Sequence, residues 1–159
     1  MRCDAHTFAQ MYENVYTDLY RFALCLMKNR QEAEDAVSES VLKAYENIRK
    51  LKDENAFKSW IFTITANTCK SRLREAAKRR NESIEDSFIH TVSEEIDYGI
   101  SIDVRRAFTV LDEEERTIIG MSVFGGYNSK EIGQMLGLKD NTVRSKKVRA
   151  LEKMECVLK

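Results

Sequence analysis

The complete absence of proline is the feature that most constrains how this 159-residue chain can fold. Proline interrupts helix interiors and is common in turns, so a chain without it can form long, unbroken helices. The sequence also lacks the Asn-Gly and Asp-Gly pairs that are typical of tight β-hairpins. Apolar residues recur at three- and four-residue intervals, which places them on one face of an α-helix. The sequence therefore predicts an all-α protein.

The N-terminal half contains three predicted helices. The first spans residues 7–28, and the second follows Asn29, which stands three residues before Glu32 as in a capping box. That second helix is predicted to reach about residue 50. The third begins after residues 53–55 and continues to about residue 80. Its β-branched and aromatic start, residues 60–65, would also suit a strand, but the wider spacing favours a helix: Phe57, Trp60, Ile61, Ile64 and Thr68.

About four shorter helices are predicted in the C-terminal part. One lies around residues 102–111, and Asp112 with Glu115 forms a cap in front of the next, which ends at a pair of glycines, Gly125 and Gly126. A further capping pair, Asn128 with Glu131, opens the sixth helix.

Charge divides the chain into three parts, although its 26 basic and 26 acidic residues cancel overall. Residues 1–80 have a net charge of +4, residues 81–103 of −7 and residues 104–159 of +3. Residues 81–103 also show no sustained apolar period. We therefore predict two small helical domains, 1–80 and 104–159, joined by an acidic linker, 81–103. On charge alone, solvated helix faces explain the basic blocks as well as nucleic-acid binding does.

The C-terminal segment carries the most specific pattern, a helix-turn-helix. A short helix ends at Gly137, where a left-handed residue permits a tight turn, and a basic helix follows. Its inward positions are predicted to be Val143, the stem of Lys147, Ala150, Leu151 and Met154. Its outward or N-terminal positions are predicted to be Asn141, Thr142, Arg144, Ser145, Lys146 and Arg149. Such a helix can place cations against purine edges and phosphates in a major groove, although a plain helical hairpin with a basic face is the simpler alternative.

Other classes of protein receive little support. The four cysteines form no close pair of the kind that zinc fingers and redox dithiols need, and the two histidines stand isolated. We predict no metal, no cofactor and no catalytic residue. The longest apolar run, residues 22–27, is far short of a membrane span, and the N-terminus lacks the apolar core of a secretory signal. A cytoplasmic location is expected.

Two sets of residues resemble the sigma-70 family of bacterial RNA polymerase sigma factors. Its fourth region has E-I-x-x-x-L-G, a four-residue gap and T-V-x-S-(R/K)-x-x-R-A, which residues 131–150 match. Its second region resembles residues 32–39, Glu-Ala-Glu-Asp-Ala-Val-Ser-Glu, and Phe57 to Ile61 followed by Ala66-Asn67. With two regions and a short tether, the chain is similar to the extracytoplasmic-function class. Four positions depart from the pattern. Ser38 stands where Gln or another longer polar side chain is usual, and Asn128 and Gly133 replace the common Ser and Ala. Lys146 often appears as Arg, whose bidentate fork Lys lacks.

The resemblance implies three sets of functional residues. Docking on core RNA polymerase would use Glu34, Asp35, Ser38 and Glu39. The minus-ten promoter element would be read by Asn55, Lys58, Ser59, Trp60, Asn67, Lys70 and Arg74. The minus-35 element would be read by Asn141, Thr142, Arg144, Ser145, Lys146, Lys147 and Arg149. The simpler interpretations are that the carboxylates only solvate a helix face and that Trp60 packs in the core rather than stacking on a base.

The resulting hypothesis is a promoter-specificity subunit that directs core RNA polymerase to promoters and aids DNA opening. Its implied partners are core RNA polymerase, promoter DNA and an anti-sigma factor, with no small-molecule substrate and no enzymatic activity. The acidic linker would enter the channel that RNA later occupies, or would serve only as a spacer. The alternative is an autonomous helix-turn-helix regulator whose N-terminal domain dimerises or binds a ligand.

Overall fold

The structure is a computed structural model, and it describes residues 4–27, 29–82 and 100–158. Within these ranges the regular structure is helical and no strand occurs, which confirms the predicted all-α class. The helices are α1 Ala5–Met27, α2 Arg30–Glu46, α3 Phe57–Glu82, α4 Ile102–Thr109, α5 Glu113–Val123, α6 Ser129–Leu136 and α7 Asp140–Leu158. Two 3₁₀ turns, Ile48–Lys50 and Glu54–Ala56, connect α2 to α3.

Side-chain caps begin the helices at the predicted residues. Asp112 and Glu115 form a reciprocal capping box at the start of α5, and Asn128 and Glu131 form another at the start of α6. Before α2, the side chain of Asn29 accepts a hydrogen bond from a backbone N–H three residues on, at 2.8 Å. Each cap satisfies backbone donors that have no partner inside the helix.

Helices α1, α2 and α3 form the N-terminal lobe. Phe8 of α1 contacts both Tyr45 of α2 and Phe57 of α3 in edge-to-face geometry, with ring centroids 5.1 and 5.6 Å apart. Trp60 is half-buried against the core, with its ring 6.3 Å from that of Phe57. This supports the packing interpretation of Trp60.

Helices α4 to α7 form the C-terminal lobe, which contains the predicted helix-turn-helix. Gly137 ends α6 with φ of 71°, in the left-handed region that the sequence predicts for it. Val143, Ala150 and Met154 of α7 are buried, as predicted. Leu151 is 46% exposed, so its predicted inward position is wrong. Val143, Ala150 and Met154 fill the inward stripe, and the lysines of two ion pairs with α5 lie on the edge of α7 opposite to Leu151.

The two lobes pack directly against each other. Gly120 of α5 lies so close to Phe22 of α1 that a Cβ atom at position 120 would come within 2.6 Å of the ring. Phe62 of α3 contacts Tyr127, which precedes α6, with ring centroids 6.1 Å apart. Buried residues of both lobes belong to one continuous cluster. Most of the predicted acidic linker, residues 83–99, lies outside the described residues.

Candidate nucleic-acid and polymerase interfaces

The first turns of α7 present polar and cationic side chains to solvent. Asn141, Arg144, Ser145 and Arg149 are exposed, while Thr142 and Lys147 are half-buried. Arg144 is 66% exposed, and its guanidinium lies 3.4 Å from the Asp140 carboxylate one turn earlier. A pair this exposed contributes little to stability, so Arg144 can exchange Asp140 for another acceptor at small cost. Six of the seven predicted minus-35 residues are therefore fully or partly exposed on α7.

Lys146, the seventh, is held by its own lobe. Its ammonium donates to Glu114 of α5 at 2.8 Å, and this hydrogen bond raises the pKa of Lys146. The side chain is 34% exposed, about half the value of Arg144. The sequence pattern does not indicate this pairing, because Glu114 lies 32 positions earlier in the chain.

The N-terminal part of the predicted minus-ten set faces the C-terminal lobe. The Lys58 ammonium lies 5.8 Å from the centroid of the Tyr127 ring and 6.0 Å from that of Phe62. Ser59 bonds back to the carbonyl of residue 56 at 3.2 Å, and Asn55 is exposed. A cleft of about 520 Å³ separates these residues from α6; it is lined by Asn55, Lys58, Ser59, Gly125, Tyr127, Glu131, Gln134 and Met135. Burial between the lobes raises the pKa of Tyr127 to about 12.

The remaining minus-ten residues follow α3 away from that cleft. Asn67, Lys70 and Arg74 are exposed and are spaced three and four residues apart, so they share one face of the helix. Trp60 lies seven residues before Asn67 and borders the same face from its half-buried position. We call these four residues the α3 strip.

The predicted docking residues lie on α2 in two different environments. Asp35 accepts a hydrogen bond from Gln31 at 3.0 Å, and Ser38 is exposed. Glu34 pairs with Arg30 at 3.1 Å. These contacts are local to α2 and leave the side chains at the surface.

Glu39, the fourth docking residue, connects two helices. Its carboxylate contacts Lys43 of α2 at 2.8 Å and Arg72 of α3 at 3.0 Å. Hydrogen bonds to Lys43 and then to Arg72 lower the pKa of Glu39. This carboxylate therefore has a structural role in the lobe, which the sequence prediction did not include.

An apolar groove of about 570 Å³ continues the docking surface and was missed by sequence reasoning. Ser38 lies within it, beside the exposed side chains of Leu42 and Tyr45. Its full lining is Ala5, Phe8, Tyr12, Ser38, Val41, Leu42 and Tyr45. The three- and four-residue apolar spacing along α2 predicts an inward position for Tyr45, but its side chain is 43% exposed. The sequence feature that could have indicated this groove is Leu42, a large apolar residue that falls outside the three- and four-residue spacing of the buried positions.

Other kinds of site find no support in the described part of the chain. No group of three or more His, Cys, Asp and Glu side chains could hold a metal ion there. Burial raises the pKa values of the Cys25 and Cys69 thiols to about 12, so these cysteines act as small core residues. In the ranges that the structure covers, the helices are too short or too polar to span a bilayer.

Two family models match the chain. Residues 11–79 match sigma-70 region 2, and residues 101–154 match sigma-70 region 4. RNA polymerase sigma factor SigV of Bacillus subtilis is 31% identical over 142 residues, which cover 89% of this chain and 84% of that protein. The ECF RNA polymerase sigma-E factor of Haemophilus influenzae is 30% identical over 141 residues, covering 80% of this chain and 75% of the relative.

Two solved structures share the fold. The sigma factor RpoE of Bartonella quintana, determined in complex with the anti-sigma factor NepR, superposes with a TM-score of 0.84 at 25% identity, covering 95% of this chain and 96% of that one. CnrH, determined with the cytosolic domain of CnrY, gives a TM-score of 0.70 at 20% identity, covering 98% and 89%.

Proposed function

Because this chain belongs to the sigma-70 family as a sigma factor of the extracytoplasmic-function class, we propose that its two lobes divide promoter recognition between them. The chain is a promoter-specificity subunit of RNA polymerase. In the proposed division, the N-terminal lobe docks on the core enzyme and reads the minus-ten element, and the C-terminal lobe reads the minus-35 element. The observation that carries this proposal is that one chain presents a cationic recognition helix and a separate polar and cationic strip on α3.

The recognition helix is suited to a major groove. Gly137 supplies the tight turn between α6 and α7, and the outer face of the first turns of α7, with Asn141, Arg144 and Ser145, is exposed to solvent. Arg144 has the bidentate donor geometry that matches a guanine edge, and Arg149 lies further along the helix, where it can contact phosphate. Asn141, Thr142, Ser145 and Lys147 complete the surface.

The α3 strip is suited to a single strand of DNA. Lys70 and Arg74 can contact successive phosphates of the backbone. Asn67, which lies between Trp60 and Lys70 along the helix, can hydrogen-bond a base edge. Trp60 is half-buried, so it forms the wall at one end of the strip rather than a freely accessible stacking platform. Asn55, Lys58 and Ser59 extend the surface toward the cleft.

In the arrangement described, that extension is covered on one side. Lys58 lies over the ring of Tyr127, and α6 stands across the cleft. A DNA strand that contacts Lys58 needs this space, so the lobes must separate when the promoter is bound. We call the packed state, with Phe22 against Gly120 and Phe62 against Tyr127, the closed arrangement.

Docking on the polymerase is proposed to use one face of α2, which has an acidic part and an apolar part. Asp35 supplies charge, Ser38 a polar contact, and Leu42 with Tyr45 the apolar groove; these four lie at three- and four-residue steps along α2, so they share one face. A basic partner surface with apolar side chains fits this face. Glu34 lies at its edge, and Glu39 supports it by joining α2 to α3.

An anti-sigma factor is the second proposed protein partner. RpoE of Bartonella quintana, which covers almost the same length, was determined with the anti-sigma factor NepR bound. The proposed role needs no cofactor and no catalytic chemistry by this chain, and it places the protein in the cytoplasm with the polymerase it serves.

The proposal is tested by run-off transcription with purified core polymerase on fragmented genomic DNA. Start sites that appear only when the chain is added are the expected result. Size-exclusion chromatography with and without core polymerase distinguishes a polymerase-binding subunit from the alternative, an autonomous dimeric regulator. The comparisons do not support that alternative. A stable dimer that ignores polymerase and leaves start sites unchanged would refute the proposal.

A further inference from the structure

Two adjacent glutamates at the start of α5 hold two lysines of the recognition helix. Glu114 accepts from Lys146 at 2.8 Å, and both oxygens of Glu115 accept from Lys153 at 2.9 and 3.0 Å. Lys146 and Lys153 are seven residues apart, so they stand on one edge of α7, about 10 Å apart along its axis. The first turn of α5 therefore forms ion pairs with α7 at two positions along the α7 axis.

The two pairs differ in exposure and in place. The Glu115 side chain is 6% exposed and also accepts from the backbone N–H of Asp112 at 2.9 Å, so it is fixed by the capping box. Glu114 is 44% exposed, and its lysine lies in the second turn of α7, next to the proposed DNA-reading residues. The Glu115–Lys153 pair, with its buried carboxylate, fixes α7 to α5. The more exposed Glu114–Lys146 pair lies where α7 is proposed to meet DNA.

The exposure of Leu151 bears on the rotation of α7 about its axis. Relative to the buried stripe of Val143, Ala150 and Met154, Lys146 lies about 60° and Lys153 about 80° to one side, and Leu151 lies about 80° to the other, at about 100° per residue. Apolar burial alone favours turning Leu151 toward the core. It is 46% exposed, while the lysine edge is drawn against α5.

We propose that Glu114 and Lys146 form a positioning pair that sets the rotation of the recognition helix, so that Arg144, Ser145 and Arg149 face the DNA. Lys146 then contacts Glu114 rather than a base or a phosphate. This inference rests on the proposed function of the C-terminal lobe and refines it, because it removes Lys146 from the residues that read DNA directly.

The opposite role for Lys146 makes opposite predictions. If its ammonium bound phosphate, Glu114 would compete with DNA, and removing the glutamate charge would strengthen binding. Removing the lysine charge would also lower the slope of log affinity against log salt by about 0.9. For a positioning pair, the loss of either charge weakens binding while the salt slope stays unchanged.

The experiment measures affinity of reconstituted holoenzyme over a series of KCl concentrations, using a promoter fragment mapped by run-off transcription. The variants are Glu114→Gln, Lys146→Met, the two combined, Lys146→Glu, and Lys146→Glu combined with Glu114→Lys. Glu113→Gln is the matched control, because it removes a neighbouring charge from the same helix turn. Circular dichroism checks that each variant is folded.

We expect Glu114→Gln and Lys146→Met each to weaken binding about 3-fold, the size that an exposed ion pair carries, at an unchanged salt slope. The combined variant should lose no more affinity than whichever single variant binds the promoter less tightly. The charge swap, Lys146→Glu combined with Glu114→Lys, should bind more tightly than Lys146→Glu alone. Tighter or unaltered binding by Glu114→Gln, or a slope reduced by about 0.9 in Lys146→Met, would overturn the positioning role alone. Wild-type holoenzyme that does not prefer the promoter fragment to a non-promoter fragment would overturn the proposed function as well.

Discussion

Substituting Gly120 by alanine should separate the two lobes. A Cβ atom at this position would lie 2.6 Å from Cδ1 and 2.7 Å from Cε1 of Phe22 on the facing lobe. The Phe22 ring is fully buried and packs on Phe62, with ring centroids 5.1 Å apart, so it has no space into which it can swing. The clash therefore has to be relieved by moving α5 away from α1.

The magnitude follows from two opposing effects. Alanine in the middle of α5 favours the helix by about 1 kcal/mol over glycine, and it does so whether or not the lobes are packed. Overpacking a tight core costs about 1–3 kcal/mol, and this cost applies only to the closed arrangement. The equilibrium between closed and separated lobes should thus shift toward separation by about 5- to 150-fold, while α5 itself becomes more stable.

Small-angle scattering measures the separation directly. A compact chain of this length has a radius of gyration of about 15 Å, and the variant should exceed this value while its helical circular dichroism is retained. Phe22→Leu alone is the control for losing the ring, and Phe22→Leu combined with Gly120→Ala should return the radius toward that of the wild type. A Gly120→Ala protein with an unchanged radius would refute the reasoning, because it would show that the interface absorbs the extra methyl group.

Further predictions concern the separate surfaces. Arg144→Ala should weaken minus-35 binding by about 1–3 kcal/mol and relax its sequence preference, whereas Arg106→Ala, which is equally exposed on α4, should not; filter binding to promoter variants distinguishes them. Gly137→Ala should lower the free energy of unfolding by about 1–2 kcal/mol in urea titration, because alanine is strained at φ of 71°. Asp35→Lys should abolish co-elution with core polymerase without changing the melting temperature. Glu39→Gln should destabilise the protein by at most about 0.5 kcal/mol above pH 5 in urea titrations, and this effect should fade as the pH falls through the lowered pKa of Glu39, because the ion pairs contribute stability only while the carboxylate is ionised.

The local features of the fold were predictable because they depend on neighbouring residues. A cap needs a side-chain acceptor and a backbone donor three positions apart, and both Asp112 and Asn128 form one where the sequence places it. The left-handed turn at Gly137 is equally local, since glycine adopts positive φ without a steric penalty. Helix order and the position of the helix-turn-helix follow from these signals.

The surfaces were less predictable because they depend on residues far apart in the chain. Glu39 was assigned to docking from an acidic motif, but whether it also binds Arg72 is decided by how α2 and α3 cross. The outward position of Tyr45 is likewise decided by Phe8, which contacts one side of its ring and leaves the rest exposed. Periodicity alone assigns a helical face but not how much of it the neighbouring helix covers.

One sequence feature indicates that the two lobes pack together: Gly120, a glycine inside a predicted helix. Glycine in a helix interior costs about 0.5–1 kcal/mol relative to alanine, so Gly120 needs a reason that local structure does not provide. The reason is the Phe22 ring, which occupies the volume where a side chain would stand. Had α1 and α5 belonged to lobes that never touch, alanine would serve better at this position. The glycine therefore indicates that the close packing of α5 on α1 is specified by the sequence, and under the proposed function promoter binding through Lys58 has to compete with it.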